Sequence, residues 1–163
     1  MNQIWAPWRM TYIAGIDKND DGCVFCRKPQ GADDEEGLIL YRGKRCYVLQ
    51  NLYPYNNGHL MIVPYTHTSD PATLDDESSL ELWRLTMKSK AALKAAFHPD
   101  GFNIGMNIER VAGAGIDQHI HLHIVPRWSG DTNFMPVVGE TKVISQALSD
   151  TYKALKRYFV AEN

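Results

Sequence analysis

The stretch QHIHLHIVPRW, residues 118 to 128, holds His119, His121 and His123, three of the six histidines in a chain of 163 residues. Alternate residues on a strand face the same side, so the spacing predicts a strand with the three imidazoles on one face. Ile120, Leu122 and Ile124 would then pack into a core on the other. A merely water-facing edge would be served by Thr, Lys or Glu. A single metal ion does not explain the pattern either: on a straight strand His119 and His123 would be about 13 Å apart, too far for both to bind one ion. An oxygenase-type His-x-His chelate usually adds a downstream carboxylate, and the first acid after His123 is Asp131. The remaining reading gives each ring its own task along an extended ligand, a shape that polyphosphates have.

A second group with chemical potential is Cys23-Val-Phe-Cys26. Two cysteines at this spacing are half of a tetrahedral zinc site and need two more ligands. A redox pair would be expected within a βαβ context, which the sequence does not suggest, and an unmetallated CxxC is the other alternative. Cys46 lies in an apolar run and reads as a small buried hydrophobe. The glycine-rich VAGAGI, residues 111 to 116, could bring backbone N–H groups close to a phosphate, although such a loop alone is weak evidence.

The elements that must position these groups follow from periodicity. LILYR and CYVLQNL, joined through Gly43, predict a hairpin, and YPYNNG turns the chain into a third strand, HLMIVP. Residues 78 to 97 show near-helical apolar spacing, with Asp75, Asp76 and Glu77 at the start and Pro99 beyond the end. GFNIGMNIE predicts a strand, and residues 140 to 160 a last helix. The polar segment from Gly15 to Gly37 reads as loop, its acidic run Asp33 to Glu36 as a solvated turn. The expected fold is α+β, a largely antiparallel sheet with two main flanking helices. One domain spans 1–163, with an N-terminal segment at 1–36 and a C-terminal extension at 129–163.

Hydrophobic content of 44%, charged content of 22% and a formal charge of −2 fit a soluble globular protein. They argue against nucleic acid as the main partner, which would want a basic face. No apolar run approaches a membrane span and the start of the sequence lacks a signal-peptide core, so cytoplasm is the default expectation. Three cysteines do not suggest a disulfide framework.

His-Ile-His-Leu-His-Ile-Val resembles the signature of the histidine triad (HIT) family, and NNGHLMIVPYTH resembles that family's Gly-His strand with its following proline and second histidine. The resemblance covers about residues 1 to 155. WAPWRM, CVFC and PRWSGDTNFMP look like the branch that cleaves dinucleoside polyphosphates, such as diadenosine tetraphosphate, with inorganic phosphate or water as acceptor. It implies a HIT-like fold, a nucleotidyl-histidine intermediate on His121, and a donor at His123 to a phosphate oxygen or to the leaving group. It also implies one structural Zn2+ per chain held by Cys23, Cys26, His67 and His119, so that the first triad histidine serves the metal.

The same resemblance places Asn51 against the nucleotide ribose and Asn107 on a phosphate. Many relatives have Gln and then Ser or Thr ahead of the triad where this chain has Gly115 and Ile116, so the amides of Gly113, Ala114 and Gly115 are the candidate anion donors. His59 reads as a pocket-wall or structural histidine, and His98 as a helix-end residue. Trp5, Pro7, Trp8, Arg9, Arg127 and Trp128 are candidates for covering a second nucleoside, packing, or a homodimer interface. Two other functions stay open: a nucleoside phosphoramidate hydrolase, and a zinc-stabilised nucleotide-binding protein with incidental turnover.

Overall fold

A computed structural model of the chain describes residues 22–132, 144 and 146–159. Five antiparallel strands form one sheet in the order β1-β2-β3-β5-β4. They are β1 (Ile39–Arg42), β2 (Cys46–Gln50), β3 (Leu60–Pro64), β4 (Gly101–Met106) and β5 (Leu122–Arg127). The expected hairpin is present, and its turn shows why Gly43 is glycine. A Cβ there would lie 2.7 Å from the Cys46 carbonyl and 2.8 Å from the Glu81 carboxylate. That carboxylate accepts the backbone N–H groups of Lys44, Arg45 and Cys46, tying the turn to the long helix.

This helix, α3 (Asp76–Phe97), follows the short turns α1 (Val24–Arg27) and α2 (Asp34–Gly37). It starts two residues before the sequence expectation, because Asp75 caps it by accepting the Ser78 N–H at 2.7 Å. His98 closes it in the left-handed conformation, φ 49°. Helix α4 (Leu148–Lys156) lies within the expected last helix, whose residues 140–143, 145 and 160 are outside the described ones.

The sheet's alternation divides the interior in two. Leu40, Val48, Leu60, Ile62, Leu122 and Ile124 pack with α3 through Leu82, Leu85 and Leu93, and with α4 through Tyr152 and Leu155. On the other face Ile39, Tyr47, Leu49, Met61 and Val63 pack around Phe25 of α1. Cys46 is fully buried with its thiol pushed up to about 12 by desolvation, as suits an inert apolar filler.

Two expectations need correction. The segment read as loop contains α1, α2 and a 3-10 turn, Lys28–Gln30. Asp34 in its acidic run is engaged rather than solvated, pairing with Arg42 at 2.8 Å and Lys156 at 3.1 Å. Local side-chain capping by Asp33 and these pairs between distant segments gave no periodic signal. The triad does not lie on one continuous strand either: β5 begins at Leu122, so only His123 is in the ladder. The physical reason is the neighbours. The register Ile62↔Leu122 would next bring Ile120 opposite Pro64, which has no N–H to give, and β4 ends opposite Leu122 at Met106.

Candidate active site and metal centre

The segment leading into β5, bent at Gln118 and His119, carries His119 and His121 away from the ladder while keeping both rings buried. His121 Nδ1 lies 2.9 Å from the His119 carbonyl, which can only accept, so the ring proton sits on Nδ1 and the Nε2 lone pair is left for chemistry. Burial lowers the pKa of His121, opposed by that hydrogen bond, so the ring is neutral at pH 7. A neutral imidazole with a fixed tautomer is a competent nucleophile.

His123 stands beside it, ring centroids 4.7 Å apart at 74°. Its protonation follows from a chain of partners. The Tyr55 backbone N–H donates to His59 Nδ1 at 3.0 Å, so the His59 proton is on Nε2. His59 Nε2 therefore donates to His123 Nδ1 at 2.9 Å, which leaves the His123 proton on its own Nε2. Desolvation, then the nearby His123 and His121, holds the His59 pKa well below its ordinary value, so this ring too stays neutral. The Tyr55 ring packs against His59, centroids 4.6 Å apart and tilted by 37°. The site thus places an imidazole lone pair next to an imidazole N–H donor.

Asn51, expected at a ribose, directs its amide to His59 Nδ1 at 3.2 Å while its carbonyl accepts the Tyr53 N–H. Asn107 donates to the Gly113 carbonyl at 3.4 Å. The Gly113 N–H is itself spent on the Arg110 carbonyl at 3.0 Å, so the loop's candidate anion donors narrow to Ala114 and Gly115. Gly113 has φ 91°, a conformation that favours glycine. Arg127 points elsewhere: Asp131 holds its guanidinium through two hydrogen bonds and Asn103 through a third. Trp5, Pro7, Trp8 and Arg9 lie outside the described residues, and Trp128 donates to the Phe97 carbonyl.

Cys23, Cys26, His67 and His119 converge, their ligand atoms all within 4.8 Å of one another. His119 Nδ1 is 3.3 Å from Cys23 Sγ, 3.5 Å from Cys26 Sγ and 3.2 Å from His67 Nδ1. A zinc tetrahedron with these ligand types has edges of about 3.3 to 3.8 Å, so the donor set fits. His119 Nε2 donates to the Pro64 carbonyl at 2.9 Å, aiming the Nδ1 lone pair inward as metal-bound histidines require. Burial, and then the Cys23 sulfur, raise the Cys26 thiol, so the thiolate form needs a cation's field.

The HIT domain model matches residues 33–130, which include β1 to β5 and all three triad histidines. The chain belongs to the HIT family. It is 43% identical over 162 residues to an AP-4-A phosphorylase of Mycobacterium tuberculosis, covering 95% of this chain and 83% of the relative. An adenosine 5'-monophosphoramidase of Schizosaccharomyces pombe is 28% identical over 105 residues, 64% of this chain and 74% of that one. Among solved structures, a zinc-bound HIT protein from Mycobacterium smegmatis superposes with a TM-score of 0.67 at 24% identity. It covers 85% of this chain and 93% of its own, a likeness of fold.

His59 was legible only as a buried or pocket-lining residue, since its partner is 64 positions away. Phe25 gave no signal beyond lying between two cysteines.

Proposed function

We propose that the chain cleaves dinucleoside polyphosphates such as diadenosine tetraphosphate by phosphorolysis through a nucleotidyl-His121 intermediate. The single observation that carries this reading is the pairing of an unprotonated His121 Nε2 with a protonated His123 Nε2 in adjacent buried rings. The 43% identity to an AP-4-A phosphorylase supports the substrate class.

His121 Nε2 attacks the α-phosphorus, and the N–P bond forms as the P–O bond to the rest of the chain breaks. The leaving oxygen takes that electron pair and departs as part of the ATP anion, its growing charge stabilised by a hydrogen bond from His123 Nε2–H, which keeps its proton. As the His121 ring becomes cationic, its Nδ1–H bond to the His119 carbonyl strengthens. An oxygen of inorganic phosphate then attacks the same phosphorus, the N–P bond breaks, and ADP leaves. The backbone N–H groups of Ala114 and Gly115, with Asn107 bracing their loop, are the candidate anion donors, and Asn51 acts through His59 in addition to any ribose contact.

Cys23, Cys26, His67 and His119 would hold one Zn2+, which supplies a structural cross-link. A closed tetrahedron leaves no position for substrate. A cytoplasmic location belongs to this proposal; among the described residues no helix is long and apolar enough to cross a membrane. A homodimer is part of the same reading, because β4 is an edge strand with Ile104 exposed and can pair with a second copy.

Product analysis with and without inorganic phosphate tests the proposal. ADP plus ATP, at a rate that rises with phosphate and saturates, is the expected result. AMP plus ATP, or two ADP, at a rate indifferent to phosphate would make the enzyme a hydrolase.

A further inference from the structure

The two candidate centres share more than the backbone between His119 and His121. Phe25, the third residue of the Cys23-Val-Phe-Cys26 knuckle, is buried with its ring centroid 4.9 Å from that of His121 at 51°. It also meets His119 edge-on at 5.6 Å. The peptide that carries it is fixed from both sides. Cys23 and Cys26 flank it with their sulfurs in the four-residue metal cluster, and the Phe25 carbonyl accepts the Tyr47 hydroxyl at 2.8 Å.

A four-residue helix such as α1 has no stability of its own, so these anchors decide where Phe25 sits. Among the described residues the nucleophilic ring has one hydrogen bond, through Nδ1, and a single bond does not by itself fix the tilt of the ring plane. An aromatic wall against one side removes this freedom, as preorganisation of an attacking group demands.

We infer that Phe25 is a positioning residue for His121, and that the Cys23–Cys26 knuckle thereby couples metal binding to the aim of the nucleophile. The inference rests on the nucleophile and zinc assignments proposed above. Phe25 touches no reacting atom; it acts through the ring it bounds.

The test uses the full-length zinc-loaded protein with Phe25→Ala and Phe25→Leu. Zinc content, kcat and KM for diadenosine tetraphosphate, and the imidazole nitrogen NMR signals of His121 are measured on each. Zinc is expected to stay at about one per chain and KM to stay within about twofold, while kcat falls about tenfold or more in the alanine variant. The leucine variant, which restores apolar bulk, should recover part of kcat, and the His121 nitrogen signals should broaden or shift in step with the loss.

Variants that keep zinc, kcat and the His121 signals of the wild type overturn the inference. So does loss of zinc in both variants, which would make Phe25 part of the metal framework alone. A wild-type protein without zinc, or one still active as His121→Asn, would remove the underlying assignments instead, and the coupling with them.

Discussion

His59 donates to His123 across 2.9 Å, and the direction of this bond decides what His123 can do. The Tyr55 N–H fixes one nitrogen of His59, His59 fixes one nitrogen of His123, and a donor is left on a ring that packs beside His121. Removing the middle of this relay should therefore weaken the donor that stabilises charge on the leaving oxygen. His59→Ala is expected to lower kcat on diadenosine tetraphosphate about 10- to 100-fold, up to the scale of removing one charge-stabilising donor. An adenylate ester with a good phenolate leaving group, whose oxyanion needs little stabilisation, should suffer far less. Equal losses on the two substrates would show that His59 only supports the fold.

The same buried rings set the response to acid. His59 and His121 are both held below the ordinary value of 6.5, so the folded state keeps them neutral where unfolded histidines take up protons. The unfolded state then binds more protons below about pH 6.5, and stability must fall as pH drops through that value toward the lowered pKa values. Above it stability is flat on this account. Melting temperatures between pH 5 and 8 check this, and the acid-side slope should be shallower in His59→Ala. A melting temperature that rises on acidification contradicts the assignment of neutral rings.

Much of this was visible in the sequence, for reasons that differ by residue. The hairpin through Gly43, strand β3 and helix α3 carry regular apolar periods and were readable to within a few residues. The convergence of Cys23, Cys26, His67 and His119 agrees with the ligand set that the family resemblance implied. The triad's departure from a single strand was not readable, because it depends on which residue faces Pro64 across the sheet. Nor was the task of Asn51, which sits eight residues before His59 but meets its ring only when the intervening turn closes.

Metal removal separates fold from chemistry. Metal analysis should find about one zinc per chain, and Cys23→Ser should lower both occupancy and melting temperature, since site formation is coupled to folding. An apo protein as stable and as active as the metal-loaded one would remove the structural role.

The most direct test of the account is the mass of the protein during turnover. Intact-protein mass spectrometry on enzyme quenched while cleaving diadenosine tetraphosphate without phosphate should reveal one adenylate on the chain, and peptide mapping should place it on His121. His121→Asn should carry none and lose activity by several orders of magnitude, as expected for a missing covalent nucleophile. Wild-type enzyme that turns over with no adenylate on any histidine, or a His121→Asn variant keeping more than about a tenth of the activity, would contradict the nucleotidyl-histidine route.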